Sequence, residues 1–227
     1  MYCSLSYIVN KTFKFYKDNV IGIQNMVTDT DKKFNRETKI SINSHTGTHV
    51  DYPAHFVKSG KYGDEYPINY LCSNKVQIFY FNLLKQRKPR LDLERFSMFA
   101  IEGDTEILFI NTYFYTIRNS RRYVWNSPVI DSDIPLYLKK NYPKIKAVGF
   151  DIISVTSQLD RDEGRACHYN FLSSDTGKEI LIIEDVNYEN LKNDSKVKEV
   201  VILPLMFKKM DGSPCAIMAK LIDCDGE

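Results

Sequence analysis

Residues 45–56 read HTGTHVDYPAHF, and this one stretch holds three of the chain's four histidines. His45, His49 and His55 crowd into it with Asp51 between them. Histidine is the commonest protein ligand for transition metals, and a carboxylate often completes such a site. A fold for this chain must therefore gather these side chains where a cation can use them. A single histidine would read as a surface or capping residue; a cluster reads as a metal-dependent enzyme.

The spacing is H-x3-H-x-D, at the end of the alternating segment Lys39 to Asn43 (KISIN), which predicts a strand. Gly47 lies between the histidines, where the backbone can turn sharply or be approached closely. Thr46 and Thr48 offer hydroxyls to brace the loop or a ligand. Asp51 can serve one metal or bridge two. His55 follows Pro53, close enough to act on the same water and displaced enough not to be a ligand. A metal lowers the pKa of bound water from 15.7 to about 7, and a nearby imidazole then shuttles protons to a leaving group. A helix-borne zinc pair of the metalloprotease kind is disfavoured: no Glu follows His45, and Pro53 comes soon after.

The fourth histidine, His168, lies well downstream, and Glu184 ends an apolar run that predicts a strand. A His and a Glu reaching the same cleft would complete a second metal site. Each alone also reads as an ordinary core, loop or strand-end residue. Cys167 beside His168 suggests a nucleophile–base pair, but neighbours in a strand point apart, and a semi-buried structural Cys is the better reading.

The rest of the chain sets bounds. Formal net charge is +2, from 31 basic and 29 acidic side chains, which gives no case for nucleic acid or an anionic membrane. The basic group Arg118, Arg121 and Arg122 reads as a solvated loop. No apolar run approaches the ~20 residues of a transmembrane helix, and the N-terminus lacks the order of a secretory signal. Five widely spaced cysteines without a CxxC pair read as reduced, cytoplasmic thiols. No repeat or linker divides residues 1–227, so one domain is expected.

Further strands are predicted over Val76 to Leu83, Glu106 to Ile110, Ala147 to Ile153, Ile180 to Ile183, Val197 to Leu203 and Ala216 to Ile222. Helices are predicted over Leu91 to Ile101, over Ser132 to Asn141 and over Asn187 to Lys192. Strands outnumber helices and mix with them: an α/β or α+β class with a large mixed sheet.

HTGTHVDYPAHF closely resembles the HxGTHxDxPxHF signature of the metal-dependent cyclase family, to which kynurenine formamidases and isatin hydrolases belong. Weaker matches run through most of the chain: Leu5-Ser6, Ile110-Asn111-Thr112, Gly149-Phe150-Asp151 with Ser154, and His168 followed by Glu184-Asp185-Val186. The resemblance implies a swivelling β/β/α fold. It implies His45, His49 and Asp51 as ligands of a first divalent ion, and Asp51, His168 and Glu184 as ligands of a second. His55 would be the general acid/base. The ion would be zinc or, as second choice, manganese, two per chain, in a homodimer or homotetramer. The partner would be a small-molecule substrate, with no nucleic acid and no membrane. The reaction would be hydrolysis of a small amide, an aryl formamide such as N-formylkynurenine. Hydrolysis of a cyclic amide or lactone, or a degenerate metal-binding homologue, are the alternatives. The sequence departs from the family near Tyr7 to Asn19, which has no Pro-Gly turn and no Trp, leaving Phe13, Phe15 or Tyr16 as possible aromatic platforms. Asn111 and Tyr113 replace the family's Arg and Gly, and an SSDTGKE-like piece lengthens the path from His168 to Glu184. Trp125 and the tyrosines are candidates for an aromatic pocket, or for plain core packing.

Overall fold

A computed structural model describes residues 1–10, 13, 21–191 and 196–222. The strands are β1 (Tyr2–Ser4), β2 (Gly22–Thr30), β3 (Lys33–Ser41), β4 (His49–Asp51), β5 (Cys72–Ser73), β6 (Val76–Tyr80), β7 (Arg90–Leu91), β8 (Ile107–Asn111), β9 (Val129–Ile130), β10 (Ala147–Phe150), β11 (Leu181–Glu184), β12 (Val197–Pro204) and β13 (Gly212–Leu221). The helices are α1 (Leu93–Ser97), α2 (Arg121–Trp125), α3 (Asp133–Asn141) and α4 (Arg161–Leu172).

One mixed sheet runs β5-β12-β13-β4-β11-β10-β8-β6, with β1 added beside β13. Strands β6, β8, β10 and β11 are parallel; β4, β13, β12 and β5 continue antiparallel. The far end curls back, bringing β12 beside β6, so the sheet is nearly closed. Strands β8, β10 and β11 are buried and apolar except for Asn111 and Glu184 at their C-terminal ends, because both faces are covered. In β8, Leu108 and Ile110 join the core under the helices, while Ile107 and Phe109 fill the inside of the curled sheet. In β11, Ile182 faces the helices and Leu181 and Ile183 face inward.

This alternation positions the motif. His49 lies directly across from Glu184, and Asp51 across from Ile182. Residues opposite each other share a face, so His49, Asp51 and Glu184 all point to the helix side, where α4 covers them. Val50, between them, packs inward.

Several expectations need correcting. The helix predicted over Leu91 to Ile101 shrinks to the single turn of α1, started by Asp92 accepting from the Arg95 amide. No helix forms over residues 187–191, and Lys192 lies outside the described residues. The segment around His168 is not extended but is the longest helix, α4, started by Asp160 accepting from the Glu163 amide. Of the predicted Lys39 to Asn43 strand, Lys39 to Ser41 form the end of β3, which pairs with β2 in a separate ribbon whose residues beyond Ile23 are exposed. Among the described residues no helix is long and apolar enough to cross a membrane.

Candidate metal centre

Strand β4 brings His49 and Asp51 in from one side, and Gly47, with φ of 65°, turns the chain so that His45 returns over them. Gly212 lies opposite Asp51 on β13, and a β-carbon there would sit 2.3 Å from the His45 ring. Only glycine leaves space for that ring. Pro53 opens the short 3-10 turn Pro53–His55, which carries His55 back until its ring centroid is 4.0 Å from that of His45.

The distant residues arrive from above. Helix α4 packs directly on the loop before it: a β-carbon on Gly164 would meet the Thr156 backbone at 2.5 Å. That close approach lowers His168 into the centre, with Phe56 stacked on its ring at 4.4 Å. His168 Nε2 lies 3.3 Å from Asp51 Oδ2 and 3.2 Å from Glu184 Oε1. His49 Nε2 lies 3.2 Å from Asp51 Oδ1 and 3.5 Å from Glu184 Oε2. His45 Nδ1 lies 2.7 Å from Asp51 Oδ1. The structure thus brings His45, His49, Asp51, His168 and Glu184 together, as the sequence suggested. Asp51 divides its two oxygens, Oδ1 toward His45 and His49, Oδ2 toward His168. His55 comes nearer than expected: a ring nitrogen lies within 4.8 Å of ligand atoms of Asp51 and His168.

Tautomers follow from the far side of each ring. His49 Nδ1 is 2.8 Å from the Gly47 carbonyl, and His168 Nδ1 is 3.2 Å from the Gly164 carbonyl and 2.8 Å from Thr156 Oγ1. A carbonyl can only accept, so Nδ1 carries the proton and Nε2 faces the carboxylates with a lone pair. Acceptor against acceptor needs a cation or an added proton between them. His49 Nε2 and Asp51 Oδ2 are buried and make no hydrogen bond, which is uncommon for buried polar atoms. Burial opposes protonation of these rings, but the carboxylates prevail. Asp51 and Glu184 raise His168 to about 9, Asp51 raises His49, and Asp51 with Asp211 raises His45 to about 10. His55 moves the other way, lowered mainly by burial. Asp51 is itself buried yet held well below the usual carboxylate range by His49 and His45. The donor set of imidazole nitrogen and carboxylate oxygen suits a zinc- or manganese-type ion. The residues present fit a divalent cation.

Asp211 was not foreseen. It stands just before β13, and its Oδ2 lies 3.1 Å from His45 Nε2 and 3.2 Å from His55 Nδ1, while Oδ1 accepts from Ser44. Thr48, expected to brace the loop, donates to the Asp185 carbonyl at 2.7 Å. Arg118 is not in a solvated loop: it is buried and paired with Asp185 at 2.7 Å. Phe13 packs beside Arg118, away from the centre; Phe15 and Tyr16 lie outside the described residues. Cys167 is buried in the helix core and its thiol is pushed well up by burial, so it is no nucleophile. A cavity of about 740 Å³ opens onto His55 and His168, lined among the described residues also by Phe56 and Trp125 but by no tyrosine.

The family model described as "Putative cyclase" matches residues 3–157. A kynurenine formamidase of Bacillus anthracis is 30% identical over 176 residues, covering 78% of this chain and 76% of that protein. An uncharacterized protein of Haemophilus influenzae is 34% identical over 111 residues, covering 48% of this chain and 77% of that protein. A crystal structure of an isatin hydrolase bound to the product analogue thioisatinate superposes with a TM-score of 0.79 at 16% identity, over 97% of this chain and 92% of that one. The last likeness is one of fold; with the family model and the formamidase match, it establishes that this chain belongs to the cyclase family.

Proposed function

We propose that the protein is a metal-dependent hydrolase of a small amide, most closely an aryl formamide, with His45, His49, Asp51, His168 and Glu184 holding up to two divalent ions. The observation that carries this reading is the buried facing of His49 and His168 Nε2 against the carboxylates of Asp51 and Glu184. A divalent ion bound there supplies a Lewis acid and a source of hydroxide at neutral pH. The chain's residues do the rest. Asp211 accepts from His55 Nδ1, which leaves Nε2 to take and return a proton. Phe56 and Trp125 offer flat apolar surfaces to an aromatic ring. The formamidase relatives support the formamide as substrate. A cyclic amide or lactone would need the same groups, and a substrate panel separates them.

The test is metal analysis by mass spectrometry on protein purified without chelator or affinity nickel, followed by an aryl formamide, lactam and lactone screen. Close to two zinc or manganese ions per chain with formamide turnover is the expected result. No ion bound after incubation with either metal overturns the reading.

A homodimer or homotetramer belongs to the same proposal. The β2–β3 ribbon exposes Met26, Val27, Phe34 and Ile40, and an isolated two-stranded ribbon is marginal in water. A second copy of the chain would cover it; light scattering giving the mass of one 26.4 kDa chain alone would refute this. The free thiols of Cys3, Cys72, Cys167 and Cys215 suit the reducing cytoplasm.

A further inference from the structure

The cavity over His55 and His168 has a wall that the chemistry above does not use. Arg161 and Arg165 stand one turn apart on α4, and both line it. Among the described residues neither is tied up by an acid. Arg161 Nη1 donates to the neutral Gln158 Oε1 at 3.3 Å. Arg165 has no ion-pair partner among the described residues. The acids nearby in sequence are occupied or turned away. Glu163 accepts from Arg90 and from the Ser132 amide, Asp160 accepts from the Glu163 amide, and Asp162 is exposed and does not line the cavity. Arg161 also occupies the first position of α4, where the helix dipole disfavours a cation. A residue placed against the local preference of its element is a mark of a functional site.

We propose that Arg161 and Arg165 form an anion-binding wall of the substrate cavity, and that the substrate is an aryl amide bearing a carboxylate. The proposal rests on the hydrolase reading above and narrows its substrate class. The carboxylate meets the guanidiniums, the ring lies along Phe56 and Trp125, and the amide turns toward His55 and His168. Among the described residues the cavity lining contains no Asp or Glu. An amino-acid zwitterion would bring an ammonium with no carboxylate there to meet it, so an aryl formamide whose one charge is the carboxylate fits better.

Trp125 is the chain's single tryptophan, so its fluorescence reports binding without turnover. The probes are benzoate and its uncharged counterpart benzamide, titrated into the protein purified with its metal. The wild type should bind benzoate roughly 10–100-fold more tightly, as expected for charge-assisted hydrogen bonds. In Arg161→Gln/Arg165→Gln the preference should fall below about threefold, and Arg161→Lys/Arg165→Lys should keep most of it. A glutamine pair that keeps the full preference, or a wild type without one, overturns the proposal. Turnover of 2-, 3- and 4-formamidobenzoate against formanilide gives the second arm: the best benzoate isomer should show the lower KM, and the glutamine pair should erase that difference. If none of the four is hydrolysed but the titration shows the preference, the anion wall stands and the amide-hydrolase reading falls. If formanilide and all three benzoates turn over with equal KM, the wall falls alone.

Discussion

Glu184 and Asp185 are sequence neighbours, both almost wholly buried, and they end in two different kinds of acidic centre. Asp185, with φ of 56°, turns the chain at the end of β11, and its side chain is closed by the protein's own donors. Arg118 donates to Oδ2 at 2.7 Å and the Tyr123 hydroxyl donates to Oδ1. Nearby Asp151 is closed in the same manner, accepting from the Thr112 amide and hydroxyl at 2.7 Å each and from the Tyr115 amide at 3.1 Å. Glu184 accepts one backbone amide, Val155, and otherwise faces imidazole nitrogens. Burying an unpaired carboxylate costs several kcal/mol. The chain meets that cost with its own donors at one centre and leaves the other to be closed by a cation or by added protons. That contrast, more than the histidine count, singles out Asp51 and Glu184 as the candidate site.

The largest test is to remove the cation. Chelation should abolish turnover and lower the melting temperature by about 8–16 °C. This takes roughly 4 kcal/mol from an ion at a thousandfold excess over its Kd, and about 2–4 °C per kcal/mol for a chain of this size. His168→Ala should lose one ion and most activity. A melting temperature unmoved by chelator would mean that protons, not metal, close this centre. Next in size is His55→Ala, for which turnover should drop about 10²–10⁴-fold with ion content kept. Ion loss in that variant would make His55 a ligand, an outcome its distance to Asp51 and His168 leaves room for.

The two halves of the metal centre were not equally legible. His45, His49, Asp51 and His55 are local, and strand alternation alone puts His49 and Asp51 on one face. Glu184 was reachable because it ends an apolar run. Asp211 lies 166 residues from His45, and the contact depends on β13 pairing with β4, which no local pattern specifies. The one clue was Asp211-Gly212 before a strand, where the glycine proves to make space for His45. Helix α4 was missed because Gly164 sits in its interior, a residue that weakens helices in general but here permits close packing on Thr156. Its start was visible in Asp160 and Glu163, three residues apart. The β2–β3 ribbon shows the converse: KISIN alternates as a strand should, yet neither of its faces meets this chain's core.

Arg118→Met sharpens the comparison from the other side. It leaves Asp185 buried beside Tyr123 without its cation, and should cost about 3–5 kcal/mol, read by urea unfolding with and without chelator. The loss should be the same in both conditions, because the two carboxylates, though adjacent in sequence, share no hydrogen-bond partner. A stabilisation by metal that falls by more than half in this variant would show that the two centres act as one, coupled through the backbone from Glu184 to Asp185.

The smallest effect concerns Asp151. Burial pushes its carboxyl up to about 6, against the pull of the Thr112 and Tyr115 donors. A folded pKa above the unfolded value means that the folded state holds the proton longer. The favourable contribution is therefore full below about pH 4 and is lost as pH rises through about 6. The gap between those two values is worth about 3 kcal/mol. Asp151→Asn does not titrate, so the stability advantage of wild type over this variant should shrink between pH 4.5 and 6.5 and stay flat above 7. Effects of pH on the metal centre are shared by both proteins and cancel in the difference. An advantage that stays constant or grows with pH would mean that three donors are enough to keep a fully buried carboxylate ionised. The Asp51 and Glu184 pair would then need its cation because it lacks donors, and depth of burial would not be the reason.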